Sequence, residues 1–241
     1  MDVGLEVLRL VSASPSELEV FKGRPVKDIL GSEERRGRHS FRALQASCTI
    51  NDVMKELVTA QRVIILDELG KVGGVITQSD IARLLYANLP KLGSVVHQTI
   101  QALRITAGIA RSPIVTCHRG QQLVEVLSQL VNNMIHGMPV VDQFGKFMGS
   151  FGINNLKSPE HTPQLSHDVT TRPSMTVDQF LEKVGTRHVV IDDSYELGAV
   201  IKLLVESKQH RVYVLDNEHK PVHVISLSDV LVACAPHMHS F

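Results

Sequence analysis

Three stretches of the chain share one frame, and that repetition limits the folds open to it. They are RVIILDELGKVGGVITQSDIARLL from Arg62, GMPVVDQFGKFMGSFGINNL from Gly137 and RVYVLDNEHKPVHVISLSDVL from Arg211. In each, an aspartate closes an apolar run (Asp67, Asp142, Asp216), and 13 residues later stands Asp80, Asn155 or Asp229. The marks recur at intervals of 75 and 74 residues, a register that chance patterning does not hold. Fixed-period self-similarity means several copies of one supersecondary unit that cannot bury its apolar face alone.

The content of the unit follows from periodicity. Ahead of each hairpin-like pair of runs lies a helical apolar pattern: Ile50, Val53, Met54, Leu57, Val58; then Leu123, Val126, Leu127, Leu130; then Leu197, Val200, Ile201, Leu204, Val205. A short apolar strand precedes each helix, at Ala43–Ser47, Pro113–Cys117 and His188–Ile191, so each unit reads strand, helix, strand, strand, helix. The fold class is α/β (α+β), with tandem β-α-β-β-α repeats. Helices cover only one face of such a three-stranded sheet, so each unit needs a partner. The expected domains are an N-terminal helix at 1–24, repeats at 25–90, 104–157 and 174–235, a linker at 158–173 and a tail at 236–241. Stepping back 78 residues from Asp80 reaches Asp2, followed by Val3, Leu5, Val7, Leu8 and Leu10. That stretch reads either as the closing helix of a repeat otherwise missing or as an ordinary helix with an acidic first turn.

Composition excludes several function classes. Lys plus Arg and Asp plus Glu are 25 each, which removes the electrostatic case for nucleic-acid or membrane binding. No apolar run reaches spanning length and the start is acidic, so a cytoplasmic or nuclear location is expected. Cys48, Cys117 and Cys234 lack metal-type spacing and read as reduced thiols, mostly buried. Cys117 followed by His118 invites a nucleophile reading, but no third group or oxyanion loop accompanies the pair. His237 and His239 supply only two ligands on a chain end, and no metal is expected. Arg35, Arg36 and Arg38 read as a solvated loop.

The ends of the hairpins carry the suggestive chemistry. In the third unit His210 and Arg211 open the first strand, and Ser226, Ser228 and Asp229 stand where the last helix begins. A carboxylate at a helix start can accept from both hydroxyls of a ribose, and arginine offers phosphate a charged fork. The competing reading is an N-cap, since Ser and Asp satisfy free helix amides.

The unit order, the strand-closing aspartate, the turn and the terminal ITQSD and ISLSD runs resemble cystathionine-β-synthase (CBS) domains, which pair into Bateman modules. ESKQHRVYVLDNEHKPVHVISLSDVLVA looks most like the final repeat of the γ regulatory subunit of AMP-activated protein kinase and its plant and fungal relatives, and VVHQTIQALRITAGIA resembles the junction into that family's third repeat. The resemblance covers Pro25 to Ala235 and implies one paired Bateman module plus an additional repeat, equivalent to the second, third and fourth repeats of the γ subunit. It implies that Asp80 and Asp229 bind ribose hydroxyls. It places Thr77, Ser79, Ser226 and Ser228 beside the nucleotide, and sets Arg62, His210 and Arg211 on phosphates. Thr106 is a further pocket candidate. The second repeat departs from the pattern with Asn155 for the carboxylate, Gly152 for the hydroxyl and Gly137 for the arginine, leaving His136 at its head; Asn155 is its one nucleotide-site candidate. The first has Gln61 for the leading histidine, and its helix is expected to be about two residues shorter. The third repeat is left as the best site, with walls from the second.

The implied function is that of a non-catalytic regulatory subunit of a protein kinase complex. AMP, ADP or ATP is its regulatory ligand, no cofactor is required, and a kinase catalytic subunit and a β-type scaffold subunit are its partners. A homodimer through CBS pairing is a further expected association. The alternative is a CBS-pair scaffold that has lost nucleotide sensing.

Overall fold

In a computed structural model of the chain, which describes residues 42–109, 113–153, 155, 175–184 and 188–240, the repeat is visible as geometry. The first repeat runs β1 (Ala43–Gln45), α1 (Ile50–Thr59), β2 (Arg62–Leu66), β3 (Val72–Thr77) and α2 (Gln78–Ala87). A 3-10 stretch, Leu89–His97, kinks at Gly93 and leads to α3 (Ile100–Thr106). The second repeat has β4 (Cys117–His118), α4 (Leu123–Asn132), β5 (Gly137–Val141) and β6 (Phe147–Gly152), and α5 (Val177–Val184) follows. The third has β7 (Val190–Ile191), α6 (Leu197–Glu206), β8 (Arg211–Leu215), β9 (Pro221–Ser226) and α7 (Leu227–Cys234), with a 3-10 turn at Ala235–Ser240. The stretch after Asp2, the Arg35, Arg36 and Arg38 loop and the 158–173 linker lie outside the described residues.

Each repeat makes its own three-stranded sheet in the order β1-β2-β3, β4-β5-β6 or β7-β8-β9, with a parallel first pair and an antiparallel hairpin. The registers superpose: Arg62 faces Thr77, Gly137 faces Gly152 and Arg211 faces Ser226, and each hairpin slips by one residue near its tip. The opening strands are shorter than expected. β4 starts only at Cys117, because its limits are set by pairing with Val140 and Val141.

The recurring aspartates are turn residues. Asp67 Oδ1 accepts from the amides of Leu69 (2.9 Å) and Lys71 (2.8 Å), Asp142 Oδ1 from Phe144 and Lys146, and Asp216 Oδ1 from Glu218 and Lys220. Such a side chain fixes the hairpin tip by satisfying amides that the ladder cannot reach. The residue three places on is left-handed in each copy: Gly70 (φ 73), Gly145 (φ 80) and His219 (φ 63).

The first helix of every repeat has the same ten-residue length. The two residues missing from the first repeat come out of the connection after the helix, not out of the helix as expected. In the other two repeats a left-handed residue, Met134 (φ 54) or Lys208 (φ 55), turns the chain. The following amides, Ile135 and Gln209, reach back to Leu130 O (2.9 Å) and Leu204 O (3.0 Å), a cap of Schellman type. The first repeat stops instead on Ala60, whose amide reaches Glu56 O, and enters β2 directly.

Two cores result, each belonging to one compact unit. The first and third repeats share one: Val53, Met54, Leu57, Ile81 and Leu85 cluster with Val200, Ile201, Leu204, Val230 and Leu231. Within it α2 packs on α6, and α7 packs on both α1 and α2. The second repeat forms its own, with Leu123, Leu127, Leu130, Met138 and Phe151 around Val177 and Phe180 of α5. Single helices are clasped onto helix starts in both units. The amides of Ile100 and Gln101 donate to Tyr195 O and Asp193 O, and Arg104 pairs with Asp193 at 2.8 Å. In the other unit Val177 N donates to Gln121 O, and Arg119 Nε donates to Asp178 Oδ1 at 2.6 Å, so the charges are exchanged between strap and receiver.

Candidate functional site

The register that pairs Arg211 with Ser226 brings the head of β8 to the start of α7, and Leu227 N donates to His210 O at 3.1 Å. Ser226 is the N-cap. Its amide (2.8 Å) and hydroxyl (2.5 Å) both donate to Asp229 Oδ2, while Asp229 N donates back to Ser226 Oγ. This is a capping box, in which the carboxylate and the hydroxyl each satisfy an amide that the first turn leaves orphaned. The cation, the hydroxyl and the carboxylate therefore gather at one end of the sheet, at the positive pole of α7.

The first repeat repeats the arrangement. Thr77 N (2.8 Å) and Thr77 Oγ1 (2.6 Å) donate to Asp80 Oδ2, and Arg62 faces Thr77 across the hairpin. Arg83 donates to the other oxygen, Asp80 Oδ1. The Thr77 hydroxyl, with help from Arg83, holds the Asp80 carboxyl below the ordinary aspartate range, against the opposing effect of its burial. Arg62 is exposed and Arg211 half-buried.

In the second repeat the box is half-built. Gly152 N donates to Asn155 Oδ1 at 2.8 Å, and there is no hydroxyl to answer. The glycine has a steric cause: a Cβ at position 152 would lie 2.9 Å from His136 O. Gly152→Ser is accordingly expected to destabilise the fold by about 1–3 kcal/mol instead of restoring a site, a loss read as a lower urea midpoint.

The sequence candidates thus fall into groups. His210, Arg211, Ser226 and Asp229 form one cluster, Arg62, Thr77 and Asp80 a second, and both lie in the unit of the first and third repeats, whereas Asn155 lies in the other. Ser79 stands two residues after the N-cap Thr77, half-buried in the first turn of α2. Thr106 ends α3, where its hydroxyl donates to Ala102 O at 3.0 Å.

One residue escaped the sequence reading. Gln78, the first residue of α2, donates from Nε2 to Leu57 O (2.7 Å) and to Ser228 Oγ (2.8 Å). Its only signal in the sequence is a polar residue where the third repeat has the buried Leu227.

Other reactive groups are quiet. Burial pushes the thiols of Cys117 and Cys234 up to about 12, which leaves them as thiols at neutral pH. Cys117 Sγ points at Pro139 O, 3.8 Å away, while His118 is exposed. Among the described residues no group of three His, Cys, Asp or Glu side chains is placed to hold a metal ion, and the His239 side chain lies outside that set. No helix among the described residues is long and apolar enough to cross a membrane.

Comparison with known proteins extends this description. Residues 107–157 and 181–235 match the family profile of the CBS domain. Protein SDS23 of Candida albicans is 25% identical over 202 residues, covering 79% of this chain and 32% of that protein. Protein SDS23 of Meyerozyma guilliermondii is 25% identical over 162 residues, covering 64% and 30%. The chain spans about a third of the length of these curated relatives. Among solved structures, protein MJ1225 of Methanocaldococcus jannaschii, described as a candidate archaeal homologue of γ-AMPK, superposes with a TM-score of 0.66 at 14% identity, covering 95% of this chain and 80% of that one. An uncharacterized conserved protein from Pyrococcus horikoshii gives 0.60 at 19% identity, covering 80% and 78%. Both likenesses are of fold.

Proposed function

We propose that the chain, whose residues 107–157 and 181–235 match the CBS-domain profile, is a regulatory module that binds an adenine nucleotide at the head of its third repeat and transmits occupancy to a protein kinase complex. The observation that carries the reading is the cluster of His210, Arg211, Ser226 and Asp229 at one sheet end. Arg211 and His210 would take phosphate, and Asp229 the ribose hydroxyls. The description of the M. jannaschii protein as a γ-AMPK homologue supports the kinase part of the reading, with a catalytic subunit and a β-type scaffold subunit as partners. Nucleotides differing in phosphate count would act through their differential affinity for two states of the module. None of these roles needs a catalytic group.

Calorimetry with AMP, ADP and ATP tests the site. Asp229→Ala removes the ribose acceptor but also a cap, so Asp229→Asn is the sharper variant; Asn155 shows that an amide oxygen can accept the cap amide in this fold. Loss of a charge-assisted pair of bonds is expected to weaken binding about ten- to a hundredfold. Unchanged affinity in Asp229→Asn overturns the assignment. A second reading, a scaffold without nucleotide sensing, is favoured by the engagement of both Asp80 oxygens by its own repeat and by the half-built box at Asn155. Wild-type protein that stays folded and binds none of the three nucleotides supports that reading.

A further inference from the structure

We infer that Gln78 is a positioning residue through which the first repeat sets the Ser228 hydroxyl of the third repeat's candidate site, and so ties the two repeats' sites together. The inference rests on the nucleotide reading of that site.

The geometry leaves little freedom. Leu57 O is a carbonyl and can only accept, so the nitrogen of the Gln78 amide must be the end that faces it. The same nitrogen then presents its second N–H to Ser228 Oγ at 2.8 Å, and both amide donors are used. Having accepted from Gln78, the Ser228 hydroxyl has its own proton to donate elsewhere. One residue from Asp229, that proton is available to an oxygen of a bound ribose or phosphate.

The other end of the bridge also matters. Leu57 lies in the last turn of α1, among the carbonyls that a helix end leaves without an amide. Only Ala60 and Gln61 separate that helix from Arg62, the candidate phosphate cation of the first repeat. A single amide therefore holds the approach to Arg62 and the orientation of Ser228. A ligand that redirects Ser228 alters the restraint on the first repeat's head, and linkage makes the effect reciprocal. The third repeat offers no such donor in return, because its equivalent of Gln78 is Leu227, which is 3% exposed.

That leucine also supplies the test substitution, one that the same fold already carries at the equivalent position. AMP binding is measured by calorimetry for the wild type, Gln78→Leu, Ser228→Ala and the double variant. Each single change is expected to weaken AMP about three- to tenfold, the effect of one neutral hydrogen bond. The double variant should be no weaker than the weaker single, because both changes break the same bridge. Should Gln78→Leu fail to fold, Gln78→Asn, one methylene too short to span both acceptors, replaces it. Wild-type affinity in the Gln78 variant, or losses that multiply in the double variant, overturns the inference while leaving the nucleotide reading intact. A wild-type chain that binds no adenine nucleotide overturns the nucleotide reading itself, and the inference with it.

Discussion

Truncation of Leu231 to alanine is expected to lower stability by about 2–5 kcal/mol and to loosen the first repeat as much as the third. Leu231 is fully buried, on a helix that packs against α1 and α2 as well as on its own repeat. The cavity would open in a cluster to which Met54, Leu57, Ile81 and Leu85 belong together with Val200, Ile201 and Leu204. The variant should therefore lose hydrogen-exchange protection across α1 and α2, although these helices lie far from the substitution in sequence. Tyrosine emission gives a second readout. The chain has no tryptophan, and its three tyrosines, Tyr86, Tyr195 and Tyr213, all fall in the unit of the first and third repeats. Their unfolding midpoint should drop. Protection lost only in α6 and α7 would mean that the two repeats do not share a cooperative core.

How much of this was open to inspection in the sequence depended on whether a feature was local. Asp67, Asp142 and Asp216 recur because an Asx turn and a left-handed residue three places on must coexist at each hairpin tip, and both are short-range demands. The capping residues at Thr77, Asp80, Ser226 and Asp229 were visible for the same reason, and their capping role is what the structure displays directly. The helix ends were harder. Met134 and Lys208 occupy left-handed positions where glycine would have announced a stop, so the shortening before β2 looked like lost helix. The core shared by the first and third repeats had no signature at all. Their helices carry interchangeable apolar faces, and an apolar face does not name its partner. Gln78 belongs to the same class: its bond to Ser228 spans 150 positions. The departure at Gly152 was plain in the sequence, but its cause, the carbonyl of His136, is a contact that only the folded hairpin makes.

Phe151→Ala should produce the complementary result, a loss of about 3–5 kcal/mol confined to the second repeat and α5. Phe151 is fully buried and meets Phe180 of α5 edge to face, with ring centroids 5.5 Å apart and planes at 74°. Pairs of this geometry add about 0.5–1.5 kcal/mol beyond the area they bury. Phe180 is thus one of the residues, with Val177 and the partly buried Leu181, by which α5 joins this core, and removing the opposing ring leaves the helix held chiefly by Val177, Leu181 and the Arg119–Asp178 clasp. Protease cleavage within or beside 177–184 should accelerate in the variant. Because the second repeat has its own core and contains no tyrosine, far-UV circular dichroism should show an early transition while the tyrosine midpoint stays at its wild-type value. The contrast with Leu231→Ala is the decisive comparison: each truncation should move one optical signal early and leave the other unit's core in place. A tyrosine midpoint that falls in step with the circular dichroism of Phe151→Ala would show instead that the two cores melt as one.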